Sequence, residues 1–142
     1  MKKSTLSLLV ILNCISFLFA QIHLNRSNLE SVCECRIKNR FIKLISKNIS
    51  TIDPYTFQNL TQLTNLYLDH NEITQIDKIT FLGLVNIIDL TLNNNQIEEI
   101  DPITFKDLVN LANLLDLTSN KISKLYANNF QGLSLLQVIF IK

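Results

Sequence analysis

Four phenylalanines, Phe57, Phe81, Phe105 and Phe130, follow one another at steps of 24, 24 and 25 residues. Everything around them keeps the same step. One block reads Leu63-x-x-Leu66-x-Leu68-x-x-Asn71-x-Ile73-x-x-Ile76, then Phe81 and Leu84. The next reads Ile87-x-x-Leu90-x-Leu92-x-x-Asn95-x-Ile97-x-x-Ile100, then Phe105 and Leu108. A fixed period of this size marks a stacked array in which each unit buries its apolar face only against its neighbours. Such arrays present broad binding surfaces, so recognition is favoured over catalysis.

Within a block, Leu66-Tyr67-Leu68-Asp69 alternates apolar and polar side chains, the period of a strand with one buried face. Leu90-Thr91-Leu92-Asn93 repeats the pattern. A strand this short gains stability by stacking into a parallel sheet, one strand per repeat, and parallel neighbours need a crossover. The segment from about Glu72 to Asn86 supplies it, with Ile73, Ile76, Phe81 and Leu84 directed inward. Asn71, Asn95 and Asn120 follow the strands at one phase. There the chain turns and leaves backbone groups unpaired, and a side-chain amide supplies both donors and an acceptor. The phenylalanines fill the space between the strand layer and the outer wall.

These blocks resemble the 24-residue leucine-rich repeat of animal extracellular proteins, L-x-x-L-x-L-x-x-N-x-I-x-x-I-x-x-x-x-F-x-x-L. Residues 63–86, 87–110 and 111–135 carry it. An earlier block has Ile42, Leu44, Ile49, Ile52, Phe57 and Leu60, with Lys47 where asparagine is expected. A fifth begins at Leu136 with Ile139 and Ile141. The resemblance implies an α/β-type solenoid, a horseshoe with a parallel sheet on its concave face and irregular or short helical segments on its convex face. The expected organisation is a signal peptide at 1–20, an amino-terminal cap at 21–41 and repeats over 42–142. The third block holds one extra residue within Leu111-Ala112-Asn113-Leu114-Leu115-Asp116-Leu117, which predicts a bulge near Leu114.

Lys2 and Lys3 precede an apolar run from Leu6 to Phe19 closed by Ala20, the order of a cleaved secretory signal. The run is shorter than the ~20 residues of a spanning helix, which disfavours an anchor. Asn13, where a small residue is wanted, disfavours a lipoprotein site at Cys14. Without residues 1–20 the chain has 11 basic and 12 acidic side chains. Residues 21–48 carry +4 and residues 49–142 carry −5. That distribution lacks the basic stripe of a nucleic-acid surface. The basic segment reads as a solvated end or as a contact for an anionic polymer or membrane surface. Three Asn-x-Ser/Thr sequons, at Asn25, Asn48 and Asn59, are glycosylation candidates in a secreted chain.

Cys33 and Cys35 stand where secreted members of the resembled family carry a cysteine-rich cap that usually has four cysteines. On an extended chain an i,i+2 pair lies near the upper distance limit for a bridge, so a tight internal bridge, free thiols and pairing with another chain all remain open. Metal and other cofactors are not expected, because only His23 and His70 accompany the cysteines. At the other end, Leu136-Gln137-Val138-Ile139-Phe140-Ile141-Lys142 reads as the first strand of a further repeat. A longer parent chain explains this most simply, and a membrane anchor would have to lie beyond it. Self-association through the apolar edge is the alternative.

The strand positions that point away from the core define the candidate binding face. They include Tyr67, Asp69, His70, Asp89, Thr91, Asn93, Asp116 and Thr118. Tyr67 is the expected anchor, because tyrosine combines large area with few rotors. Asp69, Asp89 and Asp116 make the middle of the face acidic and suit a basic patch on a protein partner. His70 is a candidate pH-sensitive contact. No nucleophile elbow, phosphate loop or zinc signature is present, and adjacent Glu98 and Glu99 cannot readily share a face as an acid/base pair. The implied function is an extracellular protein-recognition module without enzymatic activity. A structural unit that polymerises through its open edge is the competing reading.

Overall fold

The computed structural model describes residues 20–36 and 40–141. The predicted signal segment, apart from Ala20, lies outside the described residues. The elements run β1 (Ile22–Leu24), α1 (Leu29–Cys33), β2 (Phe41–Lys43), β3 (Ile49–Ile52), β4 (Asn65–Tyr67), β5 (Asp89–Thr91), β6 (Leu114–Asp116), a 3-10 turn (Ala127–Phe130) and β7 (Val138–Phe140). Strands β2-β4-β5-β6-β7 form one parallel sheet in that order, and β1 pairs with β3 in a second. The chain is a parallel-strand solenoid, as the period predicts. One rung follows another with an irregular return segment between them.

Register ties the sheet to the sequence pattern. Ile42, Leu66, Leu90, Leu115 and Ile139 lie in one row across the five strands. Ile42, Leu66, Leu90 and Leu115 are all at most 1% exposed. Leu44, Leu68, Leu92 and Leu117 form the next buried row. Pairing continues past each short strand, with Leu68 N–H donating to Thr91 O and Leu92 N–H to Asp116 O. The predicted inward residues of the return segment, Ile73, Ile76, Phe81 and Leu84, are buried, and so are their counterparts one rung later.

The phenylalanines form a column. Ring centroids are 6.4 Å apart for Phe57–Phe81, 6.1 Å for Phe81–Phe105 and 6.4 Å for Phe105–Phe130, with interplanar angles of at most 16°. The first three rings are buried and Phe130 is half-buried.

The asparagines form a second column. Asn95 Nδ2 donates to Leu92 O of its own turn and to Leu68 O of the preceding rung, each at 2.9 Å. Its Oδ1 accepts from Ile73 N at 3.1 Å. Asn71 spans the turns at Leu44 and Leu68 in the same way and accepts from Lys47 N and Ile49 N. Asn120 repeats the pattern at Leu92, Leu117 and Ile97 while half-buried. Each of these side chains therefore stitches one rung to the one before it. The residue just ahead of each asparagine, His70, Asn94 or Ser119, has φ near +54° and makes the turn.

The extra residue of the third block does not break the sheet. Ala112 and Asn113 N–H both donate to Ile88 O, and the chain bends at Asn113. Strand β6 then pairs with β5 without a shift, Leu114 opposite Asp89 and Leu115 opposite Leu90. The bulge predicted near Leu114 is thus absorbed one residue earlier, outside the strand. Its consequence is that Leu114 takes the face position held by Asn65 and Asp89 on the neighbouring rungs.

Two amino-terminal features are not evident in the sequence. Strand β1 pairs with β3, and Leu24, Leu29 and Cys33 join the same core as the repeats. Cys33 and Cys35 are bridged, with Cα atoms 5.1 Å apart. The expected difficulty assumed extended backbone. Glu34 instead caps α1 in the left-handed region at φ 52° and brings its neighbours together. So short a bridged loop removes little unfolded-state entropy. Reduction is therefore expected to cost only about 1–2 kcal/mol. Melting curves with and without reductant measure this, and a loss above about 4 kcal/mol would contradict the loop-entropy account.

Candidate functional site

The sheet sets out the side chains of its concave face in rows. Phe41, Asn65, Asp89, Leu114 and Val138 form one, and Lys43, Tyr67, Thr91, Asp116 and Phe140 the next. Adjacent strands lie about 4.8 Å apart, so neighbouring side chains in a row are in reach of a single ligand group. Beyond the strands, His70 N–H donates to Asn93 O and Asn94 N–H to Thr118 O, which continues the alignment through Asp69, Asn93 and Thr118. The predicted face residues Tyr67, Asp69, Asp89, Thr91, Asn93, Asp116 and Thr118 therefore share one surface. His70 sits apart at its rim, exposed on the left-handed turn, with Nε2 3.5 Å from Asn94 Nδ2.

Local bonds give these residues different standing. Asn65, an expected position of the concave face, is 8% exposed and organises the part of the face around Tyr67. Its Nδ2 donates to Tyr67 Oη at 3.2 Å and to Asp89 Oδ2. Tyr67 is thereby held in place as a half-buried anchor. Asp116 Oδ1 accepts from Thr118 N at 2.9 Å and from Thr118 Oγ1 at 2.8 Å. Thr91 is recessed, only 7% exposed. Burial pushes the Asp69 carboxyl above the ordinary carboxylate range, and Asp116 adds to the rise. The Thr91 hydroxyl and the charge of His70 act in the opposite direction.

The face is mixed in character along its length. Phe41 and Lys43 lie at the first strand, the carboxylates in the middle, and Leu114, Val138 and Phe140 toward the last strands. Phe41, Val138 and Phe140 are all exposed. Leu114 is the apolar contribution that the extra residue creates.

Elsewhere the surface is open. A groove of about 450 Å³ along one flank is lined by Arg40, Gln62, Thr64, Asn86, Asn110 and Leu135. There Asn86 Nδ2 donates to Thr61 O and Asn110 Nδ2 to Val85 O, a second rung-to-rung asparagine series. The sequence signals it only by the spacing of Asn86 and Asn110. Glu98 and Glu99 line an open cleft on the return segments with Asp77, Lys78 and Asp101. His23 pairs with Asp53 at 2.8 Å and with the Thr51 hydroxyl, joining β1 to β3 at the surface. Among the described residues no group of three or more His, Cys, Asp or Glu side chains is placed to hold a metal ion. Among the same residues no helix is long and apolar enough to cross a membrane.

Comparison with known proteins agrees with this geometry. No curated protein matches the chain. One similar solved structure is described as the crystal structure of the LRIM1/APL1C complex. It matches with a TM-score of 0.74 at 20% identity over 90% of this chain. The chain spans about a quarter of the length of that one, 25%. At this identity the likeness establishes the fold. The family model for the leucine rich repeat matches residues 61–115 and, overlapping, 89–142. Its matches fall on the rungs that carry the asparagine and phenylalanine columns, and the chain belongs to the leucine-rich-repeat family.

Proposed function

We propose that this chain is an extracellular recognition module that binds a protein partner on the concave sheet, with no catalytic step. The observation that carries the reading is Tyr67. It stands on β4, the second strand of a five-stranded parallel face, half-buried, with its hydroxyl tied to Asn65. A preorganised aromatic anchor ringed by polar groups is the arrangement that protein interfaces use for their strongest contacts. The solved relative is described as a complex, which is in keeping with a binding role.

An extracellular setting is supported by the signal-like order of residues 1–20 and by the Cys33–Cys35 bridge, which persists in oxidising compartments. In this reading residues 21–41 cap the array, with Leu24, Leu29 and Cys33 covering the end of its core. Asn48 and Asn59, both exposed on left-handed turns, are the sequons best presented for glycans. Asn25 is half-buried, and its Oδ1 accepts from Ser27 and Asn28.

Site-directed photo-crosslinking tests the surface. A photoreactive phenylalanine analogue placed at position 67 is expected to form protein adducts on intact tissue or cells. The same analogue at Tyr55, which is 55% exposed outside the sheet face, is expected to form none. Adducts from position 55 alone would overturn the concave-face assignment. An adduct of twice the chain mass would identify a second copy as the partner. For a captured partner, Tyr67→Ala is expected to weaken binding by about 2 kcal/mol or more, roughly thirtyfold.

A further inference from the structure

The Cys33–Cys35 bridge encloses a single residue, Glu34. A bridge stabilises a fold mainly by closing a loop in the unfolded chain, and the effect grows with loop length. A ring around one residue contributes little of that kind. The amino-terminal segment is held by other contacts. Leu24, Leu29 and Cys33 are buried in the common core, and β1 pairs with β3. Within the loop, Glu30 O accepts from Glu34 N–H and from Cys35 N–H, the latter at 3.2 Å. These bonds hold the backbone turn whether or not the sulfurs are joined.

The two cysteines are not equivalent. Cys33 ends α1 and is 8% exposed. Cys35 lies past the helix, is half-buried and is the more open of the two. Cys33 Sγ is 3.8 Å from Glu30 O, within reach of the weak S–H donation that a free thiol makes. Thiol–disulfide exchange proceeds through a thiolate, so charge beside the bridge matters. Glu34 is exposed, and its carboxylate alone would repel an incoming thiolate. Lys47 Nζ, 2.8 Å from Glu34 Oε1, offsets that charge. Arg36, exposed and next to Cys35 in the chain, adds a positive one.

We propose that this bridge is a thiol–disulfide exchange site, opened at Cys35 by the thiolate of a partner and closed again by Cys33. In the forward step the partner thiolate bonds to Cys35 Sγ. The bond between the two cysteines breaks, and its electron pair leaves with Cys33 Sγ. Cys33 takes a proton from water and rests against Glu30 O. In the return step Cys33 loses that proton, attacks Cys35 Sγ and expels the partner as a thiolate. There is no net oxidation, so no further reagent is consumed. The chain thereby holds a thiol-bearing partner by a reversible covalent bond. This chemistry needs nothing from the concave face.

The test uses the whole oxidised chain at neutral pH. It is incubated with millimolar reduced glutathione and, separately, with a synthetic peptide carrying one cysteine. Excess iodoacetamide then stops exchange by alkylating free thiols, and tandem mass spectrometry locates each group. The expected product carries the probe on Cys35 and the alkyl group on Cys33, at least about tenfold more often than the reverse. Structural bridges of secreted proteins resist the glutathione pool, so a bridge that stays closed with both probes overturns the proposal. The reverse placement, or equal labelling of the two sulfurs, also overturns it. Adducts with glutathione alone assign the site to small thiols, and adducts with the peptide extend it to protein cysteines.

Amide NMR spectra before and after opening separate exchange from unfolding. Shifts are expected around residues 29–36 and at Lys47, with the signals of β4 to β6 in place. Loss of the dispersed signals of those strands would show that the bridge is structural and would overturn the proposal.

Discussion

Phe81→Ala is expected to lower the unfolding free energy by about 3–5 kcal/mol, among the largest losses for a single side chain in the array. The ring is 1% exposed and stacked on both faces, by Phe57 and by Phe105. The void left by truncation cannot close easily. Closing it would require neighbouring rungs to approach, and their spacing is set by parallel pairing and by the asparagine bonds. Phe130 provides the contrast. It is half-buried, and the stacking described for it is on Phe105 alone. Phe130→Ala should therefore cost less than half as much. Urea unfolding of the two variants measures the difference. Equal losses would show that the column is not one continuous interior.

Asn95→Ala is expected to cost about 2–5 kcal/mol, and its coupling to Asn71 gives the sharper result. Removing Asn95 leaves the buried Ile73 N–H without its acceptor and takes one donor each from Leu68 O and Leu92 O. Those carbonyls are shared. Leu68 O also accepts from Asn71, and Leu92 O also accepts from Asn120. A single substitution thus leaves each carbonyl one side-chain partner, whereas Asn71→Ala with Asn95→Ala strips Leu68 O of both. The double variant should lose more than the sum of the singles, by about 1–3 kcal/mol. A double-mutant cycle at equilibrium supplies the number. Additive losses would mean that the two side chains act separately and that the ladder is not a shared network. Asn95→Asp keeps the acceptor for Ile73 N–H but turns a carboxylate toward two carbonyls, so it should be no better tolerated than alanine.

These two columns explain why so much of the fold is legible along the chain. A period of 24 residues assigns the same environment to the same phase on every rung. Leu66, Leu90 and Leu115, or Phe81 and Phe105, therefore declare their burial by position. The amino-terminal segment has no such repetition. Strand β1, helix α1 and the pairing of Ile22–Leu24 with Ile49–Ile52 occur once, and short unrepeated elements carry no internal copy to check against. The Cys33–Cys35 bridge depends on one backbone angle at Glu34, which composition does not reveal. The extra residue of the third block was visible as a count. Its absorption at Asn113 was not, because it depends on where the chain bends before pairing begins at Leu114.

The binding face divides in the same way. Alternation along each strand is enough to place Tyr67, Asp69, Asp89, Thr91 and Asp116 on one surface, since side chains two residues apart share a side of any sheet. What alternation cannot do is rank them. Asp89 is occupied by Asn65 and Asp116 is partly occupied by Thr118, while Asp69 is partly buried beside the Thr91 hydroxyl. The bond to Asp89 joins residues 24 positions apart and is made only when rungs stack, whereas the bonds to Asp116 lie within one rung. The period of the chain thus decided the solenoid, its core and the side that faces a partner. Stacking decided how far Asp69, Thr91 and Asp89 are enclosed or engaged on that side, because contacts across rungs depend on distances that a linear pattern does not contain.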